Sequence, residues 1–306
     1  MKRCWLIVLL LLTTTAVARA QPAQRTRDII YGRKYGLALT MDVFRPAKAN
    51  GVGLIFLVSG GYASSPDAIV PELGEAFFKR GYTIFAVVHG SQPKFTVPEI
   101  VEDAHRAVRF IRSHAKDYAI DPDRLGVGGA SSGGLLCLLL GTTGGPGDPK
   151  AKDPVDRASS KVQCVACFYP GTDFLNYGKK GNELLDITVH PPSFRAAYDY
   201  HKFDPKTALL ERITDKDEIR TIKRKISPIY HVTKESAPTL IIHGDKDELV
   251  PIQQSELIMA KFKELGVPSR LVVKKGQGHG WVTLPLDLPT LADWFDQHLR
   301  KGEKKR

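Results

Sequence analysis

Short apolar runs alternate along the chain with segments in which apolar residues recur at helical spacing. The runs GLIFLV (53–58), YTIFAVV (82–88) and PTLIIHG (238–244) are apolar at almost every position, as expected of strands buried on both faces. A helical stripe follows the second run, at Val97, Val101, Ala104, Val108, Ile111 and Ala115. This stripe predicts a helix from about residue 98 to 118 with one core-facing side. The alternation predicts an α/β domain with a mostly parallel central sheet flanked by helices.

The first 20 residues follow a different pattern. Lys2 and Arg3 precede an apolar run from Cys4 to Leu12, and small residues lead to Ala20, as in a cleaved secretory signal peptide. A retained membrane anchor is the alternative, but the run is shorter than the roughly 20 residues that a membrane-spanning helix needs. We therefore expect a secreted or periplasmic protein with no stable membrane insertion after cleavage.

The rest of the chain is interpreted as one large domain over residues 36–306, preceded by a polar linker over residues 21–35. Apolar and polar residues alternate in YGRKYGLALTMDVFRP around a glycine turn, which suggests an opening antiparallel hairpin. Residues 172–237 carry many charges and several tyrosines but no strand pattern. We expect them to form a helical, cap-like insertion.

Charge and cysteine content argue against several functions. The formal charge is +11, but the positive residues are scattered or terminal and form no stripe with aromatic residues, so no nucleic-acid partner is expected. Cys164 and Cys167 lie three residues apart on one predicted strand and face opposite sides. With Cys137 they are expected to be buried free thiols rather than a disulfide or a metal site. Phosphate-binding and dinucleotide-binding motifs do not occur, and neither a metal nor an organic cofactor is implied.

The stretch GVGGASSGGLLCLLL places two serines between a predicted strand and a predicted helix. Gly129 and Gly133 lie two residues on either side of Ser131, which gives the G-x-S-x-G pattern of a nucleophile elbow. Ser132 lacks a glycine at one of the corresponding positions, so Ser131 is the better candidate nucleophile. The backbone N–H of Ser132 would lie at the helix start, where it can donate to an oxyanion. A glycine-rich packing turn is the alternative interpretation.

A serine nucleophile needs a base and a carboxylate that orients the base. The segment DKDELVP after PTLIIHG offers Asp245, Asp247 and Glu248, and GQGHGW after the later run RLVVKK holds His279. The order serine, acid, histidine along the chain is that of α/β-hydrolases.

These motifs resemble the α/β-hydrolase superfamily, in particular its bacterial carboxylesterase and acetyl-xylan or feruloyl-esterase-like branch. The resemblance extends over nearly all of the chain after the leader, from MDVFRP through EDAHRAVRFIRSHAKDYAIDPDRLGVGGASSGG and SPIYHVTKESAPTLIIHGDKDELVP to GQGHGW. Family members carry the acid in H-G-x-x-D-x-x-V-P, which here is Asp247. The resemblance therefore implies that Ser131, His279 and Asp247 are a catalytic triad that cleaves carboxylic esters, including esters linked to carbohydrate, without a cofactor.

The loop after GLIFLV departs from the family pattern. The family usually has H-G-G-G there, whereas this chain has SGGY (59–62). We expect the backbone N–H of Gly61 or Tyr62 to complete the oxyanion hole with Ser132. His89 and Trp281 follow other predicted elements and are candidates for lining the substrate pocket.

Two other functions remain open on the sequence. A peptidase of the prolyl-oligopeptidase type shares the elbow and the triad order, but such enzymes usually carry a large propeller domain for which this chain has no room. A hydrolase-shaped binding protein with weak catalysis is the second alternative, because the SGGY loop departs from the usual one.

Overall fold

The computed structural model describes residues 23–300, and the predicted signal peptide lies outside them. The strands are β1 (Gln24–Lys34), β2 (Leu37–Arg45), β3 (Gly53–Val58), β4 (Thr83–Val88), β5 (Leu125–Ala130), β6 (Cys164–Phe168), β7 (His201–Asp204), β8 (Leu209–Arg212), β9 (Thr239–Gly244) and β10 (Ser269–Lys274). The α-helices are α1 (Glu75–Phe78), α2 (Val97–Ser113), α3 (Ser132–Thr143), α4 (Lys216–Lys225), α5 (Gln253–Glu264) and α6 (Leu288–Leu299).

Eight of these strands form one sheet in the order β1-β2-β4-β3-β5-β6-β9-β10. The pairs β1/β2 and β2/β4 are antiparallel, and the other pairs are parallel. The predicted mostly parallel sheet is therefore confirmed. After β3 the chain moves outward to β4 and then returns to the other side of β3 as β5. The carboxyl ends of β3 and β5 thus adjoin at a change of direction, where α/β sheets form their binding crevices.

Two hydrophobic clusters cover the two faces of the sheet. One contains the buried side of α2, with Ile100, Val108 and Ile111, and the other packs α6 against the sheet through Leu291 and Phe295. The predicted stripe of α2 is confirmed, although this helix ends at Ser113. Cys137 and Cys167 belong to the first cluster and Cys164 to the second, and all three are free thiols.

The prediction of a linker over residues 21–35 is wrong for Gln24–Lys34, which form β1 at the edge of the sheet. Most of its side chains are exposed or half-buried, so its sequence is polar. The exception is Tyr31, which is 1% exposed and donates from its hydroxyl to the carbonyl of Val88 over 3.0 Å. Little of β1 is covered by the rest of the protein, and polar or charged side chains on an edge strand hinder pairing with other chains, so its sequence resembled a linker.

Residues 172–237, called the insertion below, contribute no strand to the eight-stranded sheet. They contain α4, three 3₁₀ segments of three to seven residues and the antiparallel hairpin β7–β8. The hairpin was not anticipated, because its short strands are mostly exposed. Within residues 23–300, no helix is both long enough and apolar enough to cross a membrane.

Candidate active site

The turn between β5 and α3 has the geometry of a nucleophile elbow. Ser131 has φ 56° and ψ −119°, a conformation that L-residues rarely adopt. The turn is tight on both sides. A Cβ on Gly129 would lie 2.8 Å from the backbone of Gly133, and one on Gly133 would lie 2.9 Å from the carbonyl oxygen of Leu57. Both positions therefore require glycine, which accounts for the motif around Ser131.

Three loops bring Ser131, His279 and Asp247 together. The Nε2 atom of His279 lies 2.9 Å from the Oγ atom of Ser131, and its Nδ1 atom lies 2.8 Å from Oδ2 of Asp247. These loops follow β5, β10 and β9, so the three groups meet at the carboxyl edge of the sheet. The ring of Tyr169 packs against the imidazole of His279 at a centroid distance of 4.6 Å. The hydroxyl, the imidazole and the carboxylate form one continuous line of hydrogen bonds, as in a serine hydrolase.

Asp247 is buried and fully hydrogen-bonded. Its Oδ1 accepts the N–H groups of Leu249 and Val250 over 3.0 and 2.8 Å, and its Oδ2 lies 3.2 Å from Nε2 of His243. Burial raises the pKa of Asp247, but the hydrogen bonds from His243, His279 and Val250 outweigh burial and leave the pKa below its usual value. The carboxylate is therefore ionised at neutral pH and faces His279 as an acceptor.

The other two carboxylates after β9 are not placed to orient His279. Asp245 accepts the N–H of Gly276 over 2.6 Å and pairs with the exposed side chain of Lys275 at 3.2 Å. Glu248 lines the cleft described below but makes no hydrogen bond to the imidazole. The geometry thus selects the same carboxylate, Asp247, that the motif comparison indicated.

The SGGY loop turns sharply beside the elbow. Gly61 and Tyr62 have φ 56° and 66°, and the backbones of Gly60 and Ala63 exchange two hydrogen bonds of 3.0 Å. The N–H of Tyr62 donates to the Oγ of Ser132 over 3.1 Å.

The two N–H groups that remain for an oxyanion are those of Gly61 and Ser132. Neither donates to an acceptor within the described part of the chain, and both residues line the cleft beside Ser131. Of the two donors that the sequence left open, Gly61 is thus the better placed. The side chain of Ser132 has a separate role, since its Oγ also lies 3.0 Å from the Oγ of Ser59 and ties the loop to α3. Ser59 stands where the family usually has histidine.

A cleft of about 400 Å³ opens in front of Ser131. Much of its wall comes from the insertion, which contributes the aromatic residues Phe174, Tyr177, Phe194 and Tyr198. The elbow, the SGGY loop and the segment after Asp247 complete the lining. A concave, mostly apolar pocket with a few polar groups at one end is the usual form of a small-molecule site.

His89 and Trp281, expected to line the substrate pocket, do not line this cleft. His89 is 3% exposed, its Nδ1 lies 2.7 Å from the carbonyl oxygen of Gly90, and burial lowers its pKa to about 4. It follows β4, and β3 lies between β4 and β5, the strand that leads to Ser131. Trp281 donates from Nε1 to Asp287 over 2.8 Å and packs edge-on against Tyr169. The expected pocket roles of both residues are therefore not supported. Trp281 instead packs against Tyr169, the ring that contacts the imidazole of His279.

His243 is a site residue whose role was missed from the sequence. It is fully buried at the end of β9, its Nδ1 lies 2.7 Å from Oγ of Ser255, and its Nε2 lies 2.8 Å from the carbonyl of Val250. Together with its contact to Asp247, these bonds fix the loop that presents the carboxylate. A histidine inside an otherwise apolar strand was the available signal.

A nucleophile elbow after one strand of a parallel sheet, with an acid and a histidine on loops after two later strands, defines an α/β-hydrolase fold. The family model BD-FAE matches residues 41–262, and the chain belongs to this family. Among curated relatives, it is similar to the probable carboxylic ester hydrolase LipM of Mycobacterium tuberculosis, with 26% identity over 78% of this chain and 52% of LipM. Esterase LipQ of the same organism is 26% identical over 80% of this chain and 54% of LipQ. The chain spans about half the length of these relatives.

Solved structures share the fold. A truncated form of a carbohydrate esterase from gut microbiota aligns with a TM-score of 0.75 and 22% identity, covering 93% of this chain and 99% of that one. The esterase Est2 of Thermogutta terrifontis aligns with a TM-score of 0.68 and 21% identity, covering 93% of this chain and 96% of that one. These likenesses confirm the α/β-hydrolase fold.

Proposed function

We propose that this protein is a serine esterase that hydrolyses carboxylic esters. The observation that carries the proposal is the hydrogen-bonded line from Asp247 through His279 to Ser131 at the mouth of the cleft. The relatives named as a carboxylic ester hydrolase and as an esterase support the same activity.

The geometry suggests the following reaction. His279 Nε2 takes the proton of Ser131 as Oγ attacks the ester carbonyl, and Asp247 holds the imidazole and offsets its transient positive charge. The N–H groups of Gly61 and Ser132 stabilise the tetrahedral oxyanion, a contribution of about 3 kcal/mol per donor in other hydrolases. The carbon–oxygen bond to the alcohol then breaks, and the imidazolium protonates the leaving alkoxide. Water activated by the same imidazole attacks the acyl-enzyme, and the carboxylic acid departs as Ser131 regains its proton.

We propose acyl groups on carbohydrates as the substrate class. The neighbours described as a carbohydrate esterase and as an acetyl ester-xyloside bifunctional hydrolase support this choice. The aromatic rings that the insertion adds to the cleft wall also suit it, because Tyr177 and Phe194 offer apolar surface against which a sugar ring can pack.

We propose that the enzyme acts outside the cytoplasm, on the basis of the leader pattern over residues 1–20. The expected mature protein begins at Gln21. Expression of the full chain in a bacterial host, followed by fractionation and N-terminal sequencing, tests this. An uncleaved N-terminus in the cytoplasmic fraction would contradict the proposal.

Turnover on a panel of substrates tests the activity. The panel contains a short-chain nitrophenyl ester, an acetylated xylo-oligosaccharide, a feruloyl ester and a matched anilide amide. We expect ester hydrolysis without comparable amide hydrolysis, and Ser131→Ala should lower kcat on the order of a million-fold while the protein stays folded.

Ser132→Ala keeps its backbone N–H, so it should cost far less. Faster hydrolysis of the amide than of the esters would favour a peptidase, and no turnover at all would favour a binding protein. Loss of activity in Ser132→Ala but not in Ser131→Ala would contradict the assigned nucleophile.

A further inference from the structure

Three contacts connect the insertion to the SGGY loop, two of them direct and one through the side chain of Gln92. The ring of Phe194 lies directly over Gly61, so that a Cβ there would be 2.3 Å from Cε1. The amide Nε2 of Gln92 donates both to the carbonyl of Gly61, over 2.5 Å, and to the carbonyl of Ser193, over 2.7 Å. The third contact is a hydrogen bond of 2.7 Å between the hydroxyls of Tyr62 and Tyr198.

The loop needs external support because of its backbone conformation. Tyr62 has φ 66°, and a residue with a side chain in this left-handed region costs roughly 1 to 2 kcal/mol relative to ordinary conformations. Such a conformation persists only where the surroundings impose it. The ring of Tyr62 is 6% exposed and packs edge-on against that of Tyr198 at a centroid distance of 5.4 Å. The side chain of Tyr62 is thus anchored in the insertion, while its backbone follows directly after Gly61.

Tyr198 is itself held firmly. Its ring stacks on the imidazole of His190 at 3.9 Å and 12°, and the Nζ atom of Lys223 lies 3.6 Å from the ring centroid. Lys223 is 1% exposed, and its Nζ lies 2.9 Å from Nε2 of His190. Burial lowers the pKa of Lys223 below its usual value. These contacts hold the ring of Tyr198 in place, so its hydroxyl is positioned to hydrogen-bond the loop through Tyr62.

We infer that Tyr198 is a positioning residue for the oxyanion hole. Its hydroxyl holds Tyr62, and through Tyr62 it keeps the N–H of Gly61 aimed at the carbonyl that Ser131 attacks. The insertion then contributes to the chemical step as well as to the wall of the cleft. This inference rests on the proposed esterase function.

Tyr198→Phe tests the inference with a minimal change. The ring and its stacking on His190 stay, and the hydrogen bond to Tyr62 is lost. A donor displaced by a fraction of an ångström stabilises the oxyanion less, so we expect kcat to fall about tenfold. KM on the same ester should change less than about threefold, because ground-state binding uses the apolar wall. Affinity for an alkyl boronic acid, which becomes a tetrahedral anion on Ser131, should fall by the same factor as kcat.

Tyr200→Phe is the matched control. Tyr200 lies two residues further along the insertion, is 4% exposed, and its hydroxyl has no hydrogen-bond partner among the described residues. This variant removes the same atom from an equally buried ring and breaks no hydrogen bond to the SGGY loop. It should keep kcat, KM and boronic-acid affinity within about twofold of the parent protein.

Tyr62→Phe completes a double-mutant cycle with Tyr198→Phe. The two hydroxyls act through one shared hydrogen bond, so removing either one already removes the whole bond. The double variant should therefore lose no more activity than each single one. Additive losses would overturn the inference, as would an equal effect of Tyr200→Phe. A rise in KM at unchanged kcat would also overturn it, because the bond would then serve substrate binding.

Ser131→Ala, measured beside these variants, keeps the inference separate from the proposed function. If Ser131→Ala retained turnover, the esterase mechanism would fail whatever the tyrosine variants did. If Ser131→Ala is inactive and Tyr198→Phe is as active as Tyr200→Phe, the inference alone fails.

Discussion

Replacing Gly61 by alanine is a direct perturbation of the candidate oxyanion hole. The new Cβ would lie 2.3 Å from Cε1 of Phe194, and the backbone at φ 56° disfavours any side chain. Restoring ordinary contact requires a separation of about 1 Å more, which either the loop or the ring of Phe194 must provide. The left-handed backbone adds roughly 1 to 2 kcal/mol of strain in the same loop. Because a misplacement of about 1 Å costs about a hundredfold in rate, we expect kcat of Gly61→Ala to fall about a hundredfold.

Gly60→Ala is the matched control, since a Cβ at Gly60 meets nothing within 4 Å. The N–H of Gly60 is already bonded to the carbonyl of Ala63, so it has no part in the proposed hole. Steady-state kinetics on a nitrophenyl ester, with thermal unfolding of each variant, gives the comparison. Gly60→Ala should stay within about threefold of the parent kcat. Equal kcat values for the two variants would refute the assignment of the Gly61 N–H as an oxyanion donor.

Two further predictions concern the carboxylate and the response to acid. Asp247→Asn replaces an acceptor of His279 Nδ1 by a group that can stabilise the wrong tautomer, so kcat should fall by about 10⁴ with circular dichroism unchanged; a loss below tenfold would contradict the triad. Burial lowers the pKa of His89 and of His105 to about 4, against 6.5 in the unfolded chain. Their contribution to stability is present above pH 6.5 and lost as the pH falls towards 4, because the unfolded state then binds more protons. Urea unfolding at a series of pH values should show the free energy of unfolding decline between pH 6.5 and 4. His105→Gln should make this decline less steep, and an equally steep decline in the variant would contradict the prediction.

The elements that sequence predicted well are those with a local cause. The α2 stripe appears at helical spacing, and the Ser131 elbow requires its glycines because neighbouring backbone leaves no room for a Cβ. The choice of Asp247 over Asp245 was harder. Both follow β9, and their different hydrogen bonds depend on the path of the loop, so family resemblance was needed to choose between them.

Features with a distant cause were missed. Residues 24–30 of β1 were missed because polar and charged side chains are typical of an edge strand that must not pair with other chains. Only the end of β1 next to the turn, with its partner β2, was predicted from the alternation in the opening hairpin. The bond between Tyr62 and Tyr198 joins residues 136 positions apart, and no spacing rule connects them. His89 was misjudged because the position of β4 beyond β3, away from the elbow, is a property of the whole sheet.

The central claim is that Ser131 is a nucleophile activated by His279. It is tested most directly by treating the protein with a fluorophosphonate and mapping the adduct by peptide mass spectrometry. The account predicts one adduct, on Ser131, formed in the folded protein and strongly slowed in His279→Ala. An adduct on Ser132, or labelling of Ser131 at the same rate in His279→Ala, would contradict it.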